Sequence, residues 1–192
     1  MKNYIKDLEL NKDGEKELRK QTKIFNEKIK AELKKQNTLE GNWTSDYHIT
    51  LKFLGEIDES KIKEISEKIK NICSKRKKFE LELRGLGAFP SENYARVLWI
   101  GTSAGNSEAK GLQGEINSAL EKIGFAKEKN YANHVTLIRV KSVIDKGKLK
   151  GLFEKYKEIS FGTFMANEIK LIKSTLSSGG PTYETVATFP LA

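Results

Sequence analysis

The chain has 192 residues, with 35 Lys and Arg against 26 Asp and Glu and a formal net charge of +9. At 38% apolar and 32% charged it is composed like a soluble globular protein able to bury its own core, not like a disordered tail. No apolar run approaches the ~18 residues that a membrane-spanning helix needs.

In chain order, Tyr4 to Leu10 reads as a first strand, with Tyr4, Lys6, Leu8 and Leu10 on one parity. Leu18, Thr22, Phe25, Ile29 and Leu33 recur at helical spacing and predict a long amphipathic helix. Tyr47 to Leu54 predicts a strand, and Asp58 can cap a helix whose apolar stripe is Ile62, Ile65, Ile69 and Ile72. Phe79, Leu81 and Leu83 alternate with Glu80, Glu82 and Arg84, a half-buried strand. A turn over Gly85 to Asn93 then leads to a strand from Tyr94 to Ile100. Ser107 can cap a third helix carrying Leu112, Ile116, Leu120 and Ile123 and ending at Gly124. Tyr131 to Val140 is a strand and Asp145 to Tyr156 a short helix. Two last strands, Met165 to Lys173 and Tyr183 to Phe189, flank a turn at Ser177 to Pro181. The pattern predicts an α+β fold, compact and bilobal, in a single unit spanning 1–192.

Function classes fall away quickly. The one cysteine, Cys73, excludes an internal disulfide and a Cys-rich metal centre and reads as a small buried residue on the second helix. There is no G-x-G-x-x-G and no G-x-x-x-x-G-K-[ST] phosphate loop. The N-terminal residues Met1 to Asp7 carry charges where a signal peptide needs an apolar stretch, so a cytoplasmic location is expected. Lys-rich runs such as Lys75 to Lys78 and Lys146 to Lys150 read either as solvated surface or as long-range attraction for a polyanion.

The only two histidines lie in matching segments, His48-Ile49-Thr50-Leu51 and His134-Val135-Thr136-Leu137, which points to an internal repeat. On a strand, residues i and i+2 share a face. His48 would therefore stand beside Thr50, and His134 beside Thr136, with Ile49, Leu51, Val135 and Leu137 turned inward. Two facing copies make a cleft suited to phosphodiester hydrolysis without a metal or other cofactor. One neutral imidazole takes a proton from water and a second, protonated one gives a proton to the leaving oxygen. The Thr hydroxyls can donate to non-bridging phosphate oxygens. Lys52, on the parity of His48 and Thr50, and Arg139 are candidate phosphate contacts. Arg139 lies five residues after His134, on the opposite parity, so either a bulge or strong twist re-aims it or its role is structural.

At these residues the sequence resembles the 2H phosphoesterase superfamily, and within it the RNA 2′,3′-cyclic phosphodiesterases, also called 2′-5′ RNA ligases. Tyr47 to Glu56 and Asn133 to Lys141 carry the two motifs. Gly87-Ala88-Phe89-Pro90 with Ala95 to Trp99, and Ile169 to Leu176 with Gly180 to Glu184, are similar to further family stretches. The resemblance implies a pseudo-twofold fold of two antiparallel sheets flanked by helices around a central cleft. It implies hydrolysis of a terminal 2′,3′-cyclic phosphate on RNA to a 2′-phosphate, with ligation as the reverse reaction. It assigns His48 as the proton donor, His134 as the acceptor that activates water, Thr50 and Thr136 as phosphate ligands, and Arg139 as an assisting cation. A monomer acting on RNA ends or a small cyclic nucleotide, with no membrane partner, is the expected form. The alternatives are an idle nucleotide- or RNA-binding module using the same cleft, and a phosphodiesterase acting on small cyclic or 2′-5′-linked nucleotides. Phe89, Trp99, Tyr183 and Arg96 stand open between base or phosphate contacts and ordinary packing or pairing.

Overall fold

The computed structural model describes the backbone over residues 3–10, 13–177 and 180–192, and side chains over 19–175 and 182–192. Within these limits the chain order is β1 (Asn3–Leu10), α1 (Asp13–Gln36), β2 (Leu39–Trp43), β3 (Ile49–Phe53), α2 (Lys61–Cys73), β4 (Phe79–Ser91), β5 (Tyr94–Thr102), α3 (Asn106–Glu121), β6 (His134–Val143), α4 (Lys146–Tyr156), β7 (Ser160–Ala166), β8 (Glu168–Ser177) and β9 (Gly180–Pro190). The inward parity expected of Tyr4 to Leu10, the side chain of Leu18 and the turn residues Ser178 and Gly179 lie outside the described residues.

The apolar stripes account for the helices. Phe25, Ile29 and Leu33 are buried with Thr22 on α1, and Ile65, Ile69 and Cys73 on α2. Leu112, Ile116 and Leu120 are buried on α3, and Leu149, Leu152, Phe153 and Tyr156 on α4. The ends differ from expectation in two places. Ser60 occupies the N-cap of α2, while the Asp58 carboxylate accepts from the Ser60 N–H at 2.8 Å one step earlier. The N-cap of α3 is Gly105, not Ser107: its φ of 74° and its position against the Glu80 carbonyl leave no room for a Cβ. Gly124 does end α3, with the Phe125 N–H returning to the Leu120 carbonyl at 3.1 Å. Asp145, read as the first residue of the fourth helix, is its N-cap, accepting from the Lys148 N–H at 3.0 Å.

Three strand assignments change. β2 was not foreseen, because Leu39-Glu40-Gly41-Asn42-Trp43 is short and contains Gly, Asn and Glu, residues poor in strands. β4 does not stop at Arg84: it bulges at Gly85, whose φ is 77°, and runs on to Ser91. The segment read as one strand from Met165 divides at Asn167 into β7 and β8.

All nine strands join in one antiparallel order, β7-β4-β5-β6-β3-β1-β8-β9, with β2 on β6 beside β3. The order is palindromic about the β6–β3 boundary. The repeat in the chain is β1-α1-β3-α2-β4 followed by β5-α3-β6-α4-β8. Each repeat contributes its last strand to the other half, β4 pairing β5 and β8 pairing β1. The two expected sheets are thus joined, and the bond between β3 and β6 is the single pair Ile49–Val135.

Identical bulges follow in both repeats. On β3, Glu9 faces Thr50 and Leu8 faces Lys52, so Leu51 is an extra residue. On β6, Trp99 faces Thr136 and Leu98 faces Ile138, so Leu137 is extra. After each bulge the parity inverts: Lys52 and Ile138 turn inward, Phe53 and Arg139 outward.

The expectation that Lys52 contacts phosphate is therefore corrected. Its side chain is 1% exposed, and its ammonium donates to Asn117 Oδ1 and to the Ala126 carbonyl, each at 2.7 Å. Burial pushes its pKa below the usual lysine range, with Glu128 and Glu121 opposing that shift. Asn117 also grips the Glu128 backbone through both ends of its amide, at 3.0 and 3.1 Å. Lys52 thus tethers the segment leading to β6. Lys52→Ala strands two buried acceptors and should lower stability by about 2–3 kcal/mol. Urea unfolding measures the loss, and an unchanged midpoint would refute the tether.

Candidate active site

The register around Ile49 and Val135 decides the site. Both are fully buried, so the residues flanking them in the strands project to the opposite face. Continuing the antiparallel pair by one residue in each direction sets His48 opposite Thr136 and Thr50 opposite His134. The structure thus brings together four predicted residues. Thr50, His134, Thr136 and Arg139 line a cleft of about 720 Å³, together with Phe53, Phe89 and Tyr131. His48 is not among the lining residues; the register sets it opposite Thr136, with its side chain 22% exposed. Arg139 reaches the cleft through the Leu137 bulge, while Lys52, turned inward by the matching bulge, does not.

The histidines sit in unlike surroundings. His134 begins β6, after Asn133, whose amide donates to Asn106 Oδ1 at 2.6 Å and ties the strand start to α3. The His134 Nδ1 lies 2.8 Å from the Ala132 carbonyl. Only an Nδ1–H can make that bond, which leaves Nε2 as a free acceptor when the ring is neutral. The Phe89 ring meets the imidazole edge-on, with centroids 4.8 Å apart, and Trp99 lies 6.2 Å away. Trp99 itself lies over Gly87, where any Cβ would collide with the indole. Burial among these rings pushes the His134 pKa below the ordinary histidine value; the Ala132 bond opposes this and the nearby His48 charge adds to it.

His48 is placed by a loop between β2 and β3. The Thr44 N–H donates to the Leu137 carbonyl at 2.9 Å, and Thr44 Oγ1 accepts from the Asp46 N–H at 3.2 Å. From α1, the Asn26 amide donates to the Thr44 carbonyl at 3.4 Å and to the Tyr47 hydroxyl. Earlier on the same helix, Arg19 meets Asp46 at 3.3 Å. The other Asp46 oxygen lies 3.4 Å from His48 Nδ1. A carboxylate at that position orients the ring and stabilises its protonated form.

Asn26, Asp46 and Phe53 were not singled out from the sequence. Asp46 is two residues before a motif histidine, a signal that was present; Asn26 is one polar residue on a helix and gives none. Of the open candidates, Phe89 faces the cleft and Trp99 supports His134. Tyr183, 43% exposed, borders a small cavity with Arg19 and Asp46, and Arg96 lies in a separate cavity. Cys73 is buried, and burial pushes its thiol up to about 12. Among the described residues no three His, Cys, Asp or Glu side chains converge as a metal site, and no helix is long and apolar enough to cross a membrane.

The family model for the LigT-like phosphoesterases matches this chain twice, over residues 18–99 and 100–183, in keeping with the repeat seen in the fold. The RNA 2′,3′-cyclic phosphodiesterase of Methanocaldococcus jannaschii is 46% identical over 139 residues, covering 72% of this chain and 77% of that protein. The RNA 2′,3′-cyclic phosphodiesterase of Aquifex aeolicus is 38% identical over 176 residues, covering 88% and 93%. E. coli LigT, solved as a complex with 3′-AMP, superposes with a TM-score of 0.72 at 19% identity over 99% of both chains, a likeness of fold. Two H-x-T strands meeting on a pseudo-twofold axis, and a doubled family match, place the chain in the LigT-like (2H) phosphoesterase family.

Proposed function

We propose that the protein hydrolyses a terminal 2′,3′-cyclic phosphate on RNA to a 2′-phosphate. The observation that carries this reading is the unlike wiring of two like histidines, one poised to accept a proton and the other beside a carboxylate. The shared name of the curated relatives supports the substrate.

With the phosphate between the strands, Thr50 and Thr136 donate to its non-bridging oxygens and Arg139 offsets charge that builds as water adds. The neutral His134 takes the water proton on Nε2 while the water oxygen bonds to phosphorus. The bond from phosphorus to O3′ breaks as His48 gives its proton to that oxygen. The products are a 2′-phosphate and a free 3′ hydroxyl, and proton exchange with solvent restores both rings. Phe53, 60% exposed on the outward side of its bulge, and Phe89 offer apolar faces to the terminal base. Neither histidine needs help from Lys52.

The deciding assay is turnover of an oligoribonucleotide ending in a 2′,3′-cyclic phosphate, in the presence of EDTA, with the product phosphate located. A 2′-phosphate is expected, and a 3′-phosphate product or dependence on a metal would overturn the mechanism. His48→Ala and His134→Ala should each lower kcat by roughly 10²–10⁴-fold; full turnover in either variant would remove its assigned role.

The pH profile provides a second check. Because burial makes His134 harder to protonate, its base form persists below the ordinary histidine value. The acidic limb of kcat/KM is therefore expected below pH ~6.5. An acidic limb above that value would contradict the assignment.

Asp46→Asn removes the charge that favours protonated His48. Its alkaline limb should move down, with the acidic limb unmoved. An unchanged alkaline limb would mean that Asp46 serves only the loop.

A further inference from the structure

We propose that a second cavity, between the β4–β5 hairpin and the start of α4, binds the sugar–phosphate strand upstream of the reacting RNA end. This rests on the reading that the cleft acts on RNA.

The cavity measures about 470 Å³ and is bordered by Tyr94 and Arg96 of β5, Lys141 of β6, and Lys146 and Lys150 of α4. All five side chains belong to exposed residues. Some cations elsewhere on this basic surface are paired: Arg76 with Glu115, Arg84 with Glu82, Lys155 with Glu32 and Lys173 with Glu59. Among the described residues Lys141, Lys146 and Lys150 have no such carboxylate, and Glu92 is the sole acidic residue on the cavity wall. Arg96 lies over the Tyr94 ring, 4.7 Å from its centroid, and donates to its hydroxyl. Charges grouped within a Debye length of ~8 Å act together on an anion. Tyr94 is 58% exposed and braced by a guanidinium, so it presents a flat surface on which any base can stack. Unpaired cations with an open aromatic ring fit a single nucleic-acid strand better than an apolar or acidic peptide.

The cavity also lies where such a strand would leave the cleft. Val97 and Arg139 are ladder partners and both border the cleft. The next residues on the same two strands, Arg96, Val140 and Lys141, border the second cavity. From Thr136 to Lys141 the strand covers roughly 15 Å, at ~3.3 Å per residue. Strand β6 is therefore a continuous track from Thr136 to the cations.

The test compares two substrates with the same terminal nucleotide: a nucleoside 2′,3′-cyclic monophosphate and an oligoribonucleotide ending in the cyclic phosphate. For the wild type the oligonucleotide should have the lower KM, rising steeply with salt. In Tyr94→Ala, and in the double variant Arg96→Ala with Lys150→Ala, that KM should rise roughly tenfold. In the double variant the salt slope should flatten by about 0.7 for each phosphate that is no longer neutralised. Mononucleotide kcat and KM should not change, which shows that the variants are folded. Equal oligonucleotide KM and salt slope in variants and wild type would overturn the proposal, as would equal damage to both substrates. If the wild type turns over neither substrate, the hydrolytic reading fails separately. Fluorescence anisotropy with an oligoribonucleotide 3′-phosphate then decides: weaker, less salt-sensitive binding by the double variant supports the second site, and unchanged binding refutes it.

Discussion

Everything at the cleft hangs on one antiparallel pair, Ile49 against Val135. Both residues are fully buried β-branched side chains that suit a pleated surface. Because strand side chains alternate, burying this pair forces its four neighbours to the other face. A slip of one residue by either strand would bury that strand's histidine and expose its apolar residue. The same hydrophobic contact that joins the halves thus fixes the placement of the two histidines and two threonines. The bulges at Leu51 and Leu137 then let each strand turn two consecutive residues to the core before facing outward again.

Twofold symmetry supplies two identical imidazoles, yet acid–base chemistry needs them in opposite states. The chain breaks the symmetry in the surroundings and leaves the motifs alike. On one side, α1 and a short loop bring Asn26, Arg19 and Asp46 to His48. On the other, β4 and β5 bring Phe89 and Trp99 to His134, and a backbone carbonyl fixes its tautomer. Environments that pull two similar groups apart in proton affinity are a recurrent way of assigning acid and base. The positions after the bulges diverge in the same manner. Lys52 is used for tethering where its counterpart Ile138 is plain core, and Phe53 stands where its counterpart is Arg139.

The H-x-T strands, the four helices and the repeat were legible in the sequence because each is a matter of spacing: two residues for a strand face, three or four for a helix stripe. A bulge is a single extra residue with no spacing of its own. That is why the parity of Lys52 misled and that of Arg139 could only be stated conditionally. β2 was hidden because it is short and carries Gly41 and Asn42, residues poor in strands: Gly41 is needed where the Arg139 carbonyl approaches within 2.5 Å of a would-be Cβ. Residues that act through others, such as Asn26 and Asp46, are set by tertiary contacts between α1 and a loop about twenty residues away, and no local pattern announces them.

The exchange of last strands has a consequence for how the site exists at all. β4 completes the sheet begun by β5, and β8 completes the one begun by β1, so neither repeat holds a finished sheet by itself. The cleft is in effect a subunit interface drawn inside one chain. Two unlinked copies of a single repeat, docked about the same axis, would build the same sheet and contribute one histidine each. Linking them covalently is what allows the two halves to differ, and so permits the two histidines to have unlike surroundings.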